Sequence, residues 1–212
     1  MSIPPLEHNH FYHIYNRGIN SCNLFQENTN YEYFLSLYAK YISPVANTYA
    51  WVLMRNHFHL LVKIKGEDEI QSFFQNLQGV KDLEGLKGTN RTRVNQQFSN
   101  LFNAYTKAYN KRYSRTGSLF EHPFRRIKIE SNAHLKYLVY YIHHNPIHHG
   151  FCEHFLEYPW SSYLSMLSPK TTNLKRAEVL EWYRNKKNLV QHHTKEQLEK
   201  YNDLKIERSN DR

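Results

Sequence analysis

Two histidines one residue apart, in the run Asn56-His57-Phe58-His59-Leu60-Leu61-Val62, carry the sharpest chemical signal in the chain. Side chains alternate faces along a β-strand. His57 and His59 therefore project to one side, while Phe58, Leu60 and Val62 point the other way into a core. Imidazoles about 7 Å apart along one strand can turn toward a single cation. The bland alternative is two surface histidines on a half-buried strand; the apolar setting argues against it. Two imidazoles need a further ligand. A helix read over 132–144 and its end offers Tyr140, Tyr141, His143, His144 and Asn145. With only Cys22 and Cys152 in the chain, a thiolate zinc site is disfavoured. A pair of imidazoles with an amide oxygen and open positions suits a harder divalent ion, Mg²⁺ or Mn²⁺.

The same helix brings a second kind of chemistry. In Tyr137-Leu138-Val139-Tyr140-Tyr141-Ile142-His143-His144-Asn145-Pro146, residues four apart share a face. Tyr141 pairs in this way with Asn145, and Tyr140 with His144. Spacing does not choose between the two couples, and packing of both tyrosines on a sheet would also satisfy the pattern. A phenol, with a pKa of about 10, attacks a phosphodiester only with help from a nearby cation or base. A divalent ion on the scissile phosphate supplies that help.

These groups need a scaffold. Residues 10–17 read as a strand, 30–42 as a helix stopped by Pro44, and 47–54 and 57–64 as a hairpin around Arg55-Asn56. A helix over 68–78 follows, and then a glycine-bearing stretch over 79–95 read as a mobile insertion. Beyond it come a helix over 96–113, a strand over 124–129 and the helix over 132–144. Ser131 caps that last helix, and Pro146 is expected to end it. The order β-α-β-β-α-α-β-α fits an α+β fold, a split βαβ antiparallel sheet with helices on one face. After residue 150 the chain reads as helical and polar, amphipathic over 174–184 and prone to fray over 194–208.

Between Asn103 and Lys128 the basic residues Lys107, Lys111, Arg112, Arg115, Arg125, Arg126 and Lys128 face one acidic residue, Glu121. Lys107, Lys111 and Arg115 are four apart and would line one stripe of a helix, interleaved with Tyr105, Tyr109 and Tyr113. Such a stripe suits a phosphate backbone, and the aromatics suit stacking on unpaired bases. A solvated helix face is the bland alternative. His8-Asn9-His10 spells the letters of another nuclease motif without its context. His143, His144, His148 and His149 read as polar caps, and Trp51 and Trp160 as packing residues. Arg17 and Gly18 end the first strand where a guanidinium could approach DNA.

Composition narrows the class. The chain has 212 residues, 40 % hydrophobic and 22 % charged, enough for a real core. Lys and Arg total 28 against 19 Asp and Glu, a net charge of +9 that favours a polyanionic partner. Two cysteines make no disulfide framework, which fits a reducing, cytoplasmic compartment. No apolar run approaches the about 18 residues of a membrane span, and no secretory leader is apparent.

The chain resembles the single-tyrosine transposases of the HUH nuclease superfamily, which include compact insertion-sequence transposases and REP-associated tyrosine transposases. The resemblance rests on five segments in order. They are Ala50–Val62, Arg115-Thr116-Gly117-Ser118-Leu119-Phe120, Phe124-Arg125-Arg126, Tyr141-Ile142-His143-His144-Asn145-Pro146, and Tyr158-Pro159-Trp160-Ser161-Ser162-Tyr163. It spans roughly residues 8–165. It implies a ferredoxin-like catalytic domain over 1–165, with 166–212 a helical extension matching no motif. It implies His57 and His59 as metal ligands, Asn145 as the third ligand and Tyr141, rather than Tyr140, as the nucleophile. The implied substrate is single-stranded DNA, often with a hairpin near the cut, nicked and rejoined through a 5′-phosphotyrosine. Insertion-sequence relatives work as dimers and REP-associated relatives can act as monomers, so a homodimer stays open. The rival readings are a domesticated DNA-binding regulator without catalysis, and an HUH relaxase or replication initiator.

Overall fold

The computed structural model describes residues 5–76 and 90–194. Four strands form one antiparallel sheet: β1 Phe11–Arg17, β2 Ala46–Met54, β3 His57–Ile64 and β4 Arg125–Ile129, in spatial order β2-β3-β1-β4. β1 and β3 lie at the centre. The hairpin turn between β2 and β3 is Arg55-Asn56, as the break in the apolar pattern predicts. The first helix, α1 Asn28–Tyr41, links β1 to the edge strand β2. After β3 come α2 Glu67–Asn76 and the long α3 Asn90–Arg112, and then β4 and α4 Asn132–His148.

The α+β antiparallel architecture is the one expected, but helical cover is not confined to one face. On one side α1 and α3 bury Tyr12, Ile14, Leu53, Phe58, Leu60 and Val62 of the sheet with Phe34, Phe98, Leu101 and Tyr105. On the other, α4 lies on β2 and β3 over Ala50, Val52, Met54 and Leu61. The physical reason lies in β2 and β3, whose residues are nearly all buried on both faces; such strands need a layer on each side. The chain beyond α4 completes that second layer. A 3-10 turn Phe155–Glu157 precedes α5 Tyr163–Leu167, α6 Arg176–Trp182 and α7 Lys186–Thr194. Phe155, Tyr163, Met166, Val179, Tyr183 and Leu189 are buried there against Leu138, Val139 and Ile142 of α4.

A bulge at Tyr49 fastens this layer to the sheet. The register of β2 against β3 shifts between Thr48 and Ala50. The extra residue sends the Tyr49 ring onto Trp182, stacked at 5.1 Å, and its hydroxyl donates to the Glu178 carboxylate at 2.7 Å.

Three boundary expectations change. Of the stretch 79–95, residues 79–89 lie outside the described residues, while 90–95 form the first turns of α3 rather than an insertion. The helix read to 113 ends at Arg112. Ser114 takes a positive φ of 50°, and Arg115 N–H turns back to the Asn110 carbonyl. Pro146 does not end α4, which runs on to His148. Proline costs a helix one N–H and one carbonyl partner. Here His149 N–H bonds the Asn145 carbonyl and Phe151 N–H bonds the Pro146 carbonyl, so the last turn closes around the ring. Ser131 caps the other end as expected, accepting from His134 N–H at 3.2 Å. The frayed stretch read over 194–208 lies outside the described residues from 195 onward.

Candidate active site

Register decides which side chains share the face under α4. Arg17, His57 and Met54 stand side by side across β1, β3 and β2. The next row is Arg125, Tyr15, His59 and Val52, and the one behind it Ile127, His13, Leu61 and Ala50. The strand alternation read from sequence therefore holds. His57 and His59 are on one face, with ring centroids 5.3 Å apart and nearly perpendicular, and Phe58 is in the opposite core.

Each imidazole is engaged through Nδ1. His57 Nδ1 lies 2.7 Å from Asn56 Oδ1. An amide oxygen only accepts, so that nitrogen carries the proton and Nε2 of the neutral ring is a bare lone pair. His59 Nδ1 lies 2.9 Å from His13 Nε2, both rings being almost wholly buried. Burial pushes the His57 imidazole down to about 3, with the His149 and Arg17 charges adding to the effect. It also holds His13 at about 3 and His59 well below its usual value. All three are neutral near pH 7, the form that ligates a metal.

Helix α4 presents Tyr141 to this cluster. Its ring lies 5.6 Å from that of His59 and 6.0 Å from that of His13, edge-on to both. Tyr140 points elsewhere: it is buried against His144, Phe155, His192 and His193. The two i,i+4 couples thus separate, Tyr140 with His144 in the C-terminal layer and Tyr141 with Asn145 over the sheet. The Asn145 amide nitrogen donates to the Tyr141 carbonyl at 2.8 Å. His143 turns into the core, and His149 at the end of α4 lies 4.7 Å from the His57 ring.

Three buried polar atoms of this cluster's residues are left without a hydrogen-bond partner: His57 Nε2, His59 Nε2 and Asn145 Oδ1. A buried, unsatisfied polar atom costs about 1–3 kcal/mol, and a cation would satisfy any of these three that presents a lone pair. Two imidazole nitrogens and an amide oxygen fit a divalent ion of Mg²⁺ or Mn²⁺ type. Among the described residues, no group of three or more His, Cys, Asp or Glu side chains could hold a metal ion.

The basic set divides. Arg125 is exposed and stands in the His59 row, whereas Arg126 opposes Ile14 on the other face. Arg126 lies over the Phe124 ring and donates to Asn95 Oδ1 at 2.8 Å. Lys107 and Lys111 are exposed on α3, beyond the opposite core. Arg112 pairs with Glu27 at 3.0 Å. Arg115 leaves the expected stripe because the helix has ended; its guanidinium is held by Asn110 Oδ1 and the Ser118 carbonyl. The interleaved tyrosines are not stacking platforms. Tyr105 and Tyr109 are buried, their hydroxyls donating to the Leu24 and Asn23 carbonyls, and Tyr113 donates to Glu27 and Asn30. Arg17 is tied to Glu121 at 2.6 Å.

Sequence reasoning missed His13 and Asn56. His13 sits in a strand-like run with Tyr15 two places on, so its face was legible; its partner, on β3, was not. Asn56 read only as a turn residue.

No protein-family model matches the chain, and no curated protein matches it. Among solved structures it is similar to a REP-associated tyrosine transposase bound to a REP hairpin. The TM-score is 0.58 at 14 % identity, over 80 % of this chain and 86 % of that one. At this identity the likeness is one of fold. Among the described residues no helix is long and apolar enough to cross a membrane.

Proposed function

We propose that this protein is a DNA strand-transferase of the tyrosine transposase type, with Tyr141 as nucleophile. The observation that carries the reading is the packing of the Tyr141 ring against His59, itself beside His57, with the Asn145 amide bonded to the Tyr141 carbonyl and Nε2 of both imidazoles and Asn145 Oδ1 unpartnered. His57, His59 and Asn145 would hold Mg²⁺ or Mn²⁺, which when bound neutralises charge developing on a phosphate oxygen.

The Tyr141 oxygen attacks phosphorus and gives up its proton to solvent. The bond from phosphorus to the 3′-oxygen of the preceding nucleotide breaks, and that oxygen takes a proton. The products are a 5′-phosphotyrosine and a free 3′-hydroxyl. Attack by a 3′-hydroxyl on the phosphotyrosine reverses the exchange, so the bond energy is conserved rather than lost to water. The α4 helix holds the phenol against a rigid central strand, which supports a fixed attack geometry. Arg125, in the His59 row, is suited to the phosphate backbone near the reacting group, and Lys107 and Lys111 to a flanking duplex stem. The substrate class is single-stranded DNA with a nearby hairpin; the similar structure was solved with a hairpin bound.

The test uses single-stranded oligonucleotides tiling the DNA on either side of the gene, with and without hairpin-forming segments, in Mn²⁺ or Mg²⁺. A covalent protein–DNA band on a denaturing gel is expected for the wild type and absent for Tyr141→Phe, with binding retained. An adduct that survives in Tyr141→Phe and disappears in Tyr140→Phe overturns the assignment. Hairpin binding unaffected by chelator, with no adduct under any condition, points to a DNA-binding regulator instead.

A further inference from the structure

The two ligand imidazoles can accept a cation only if each proton sits on the correct nitrogen, and two neighbouring side chains bear on that choice. Asn56 Oδ1, at 2.7 Å, leaves His57 Nδ1 one role, that of donor. The bond between His59 Nδ1 and His13 Nε2 at 2.9 Å has two readings. If His13 donates, the His59 proton lies on Nε2, a buried atom with no acceptor. A cation cannot relieve that orphan. If His59 donates, Nε2 is a lone pair, and the orphan is one that a cation satisfies. The second arrangement makes both rings alike: Nδ1–H anchored within the protein, and Nε2 bare.

We infer that Asn56 and His13 are positioning residues that hold His57 and His59 in the Nδ1–H tautomer and aim both Nε2 lone pairs at a divalent cation. The inference rests on the proposed function for the identity of the occupant, but the tautomer assignment concerns the metal-free chain. Both anchors belong to the central scaffold. Asn56 is in the β2–β3 turn, where its backbone carbonyl accepts Gly18 N–H at 2.8 Å. His13 is mid-strand in β1, between two paired neighbours and under α4. The backbone at both positions is fixed by hydrogen bonds to neighbouring segments. Loss of such an outer hydrogen bond costs about 10–100-fold in metal affinity.

The experiment has two readouts on the full chain. Long-range ¹H–¹⁵N spectra of the metal-free wild type tell protonated from bare ring nitrogens; both His57 and His59 are expected to carry the proton on Nδ1. Mn²⁺ affinity is then measured by spin resonance for paired variants. His13→Gln keeps an acceptor and is expected to bind within a few-fold of wild type, whereas His13→Leu falls by about 10–100-fold. Asn56→Asp likewise keeps affinity and Asn56→Leu loses it. A His59 proton on Nε2 in the wild type overturns the inference, as does equal Mn²⁺ affinity in His13→Gln and His13→Leu. The wild-type spectrum decides the matter even where a leucine variant fails to fold. If the tautomers are as expected and the wild type takes up no Mn²⁺, the metal reading fails while the tautomer assignment stands.

Discussion

His143 Nδ1 lies 2.9 Å from Nε2 of His193, fifty residues further along the chain. The proton directions of the whole chain of contacts follow from its ends. His193 Nδ1 faces the Leu189 carbonyl at 2.8 Å and must donate, so its Nε2 accepts from His143 Nδ1–H. His143 Nε2 then accepts from the Ser162 hydroxyl at 2.7 Å, whose oxygen accepts Trp51 N–H at 2.9 Å. One relay joins α7, α4, the residue before α5 and the edge strand β2. Its α4 member, His143, is two residues from Asn145 and two from Tyr141 on the same helix. Removing its hinge atom tests it. Ser162→Ala leaves His143 Nε2 without a donor and Trp51 N–H without an acceptor. The expected loss is about 1–3 kcal/mol of unfolding free energy in urea, because the buried His143 ring and the half-buried Trp51 N–H both lose a partner. A change below a few tenths would mean that the relay is not holding the layer.

The buried imidazoles also set a pH dependence. Burial depresses His13, His57 and His193 to about 3 and takes His59 and His143 well below their ordinary 6.5. A group whose folded pKa lies below its unfolded value contributes fully above the unfolded value and is lost as pH falls through the folded one. Metal-free protein is therefore expected to have a flat Tm above about pH 6.5 and a steep decline from there toward pH 3, since each ring must charge on unfolding. Differential scanning calorimetry across that range is the check; a Tm independent of pH between 6.5 and 4 contradicts burial of neutral rings.

What was legible in the sequence was what depends on local period. The alternation of His57, Phe58 and His59 revealed the face of each, and the polar break Arg55-Asn56 revealed the hairpin. What escaped depends on contacts between distant segments. His13 and His59 meet because β1 pairs with β3, and no local pattern specifies that register. In the polar-looking tail after residue 150 only the amphipathic stretch 174–184, which holds Val179, showed an apolar face; Phe155, Tyr163, Met166 and Leu189 are buried at irregular spacing outside it, so the full second core layer emerges only with α4 in place. Pro146 misled because the rule that proline stops a helix holds for an interior position, while here the helix is already closing and its last carbonyls find other donors. Tyr105 and Tyr109 misled in the opposite sense: tyrosine beside lysine on a helix suits nucleic acid and suits a core equally, and only burial separates the two.

Gly18 offers a test of how the β2–β3 turn is held. A Cβ there would lie 2.0 Å from the Cys22 carbonyl oxygen, a backbone atom that cannot rotate away. Gly18 N–H also donates to the Asn56 carbonyl. Gly18→Ala must move one segment or the other, at a cost of about 1–3 kcal/mol typical of overpacking. The expected result is a lower urea midpoint with an unchanged m-value, and weaker Mn²⁺ binding because the turn carrying Asn56 shifts. Unaltered stability would show that the segment after β1 is free to relax.

The division of the basic residues makes separable predictions for DNA. Arg125 shares a row with Tyr15 and His59, so its guanidinium is on the face where the proposed nucleophile stands. Lys107 and Lys111 are on α3, across the sheet, and no ion pair engages them among the described residues. Each cation that contacts phosphate adds about one to the slope of log affinity against log salt. Arg125→Ala is expected to weaken an unstructured single strand and a stem-bearing strand alike, lowering both slopes by about one. Lys107→Ala/Lys111→Ala is expected to lower the slope by about two for the stem-bearing strand alone, because a short single strand at the catalytic face does not reach around the sheet. Fluorescence anisotropy over a salt series gives all four slopes. Equal losses on both substrates for the lysine pair would place the single strand, not the stem, along α3.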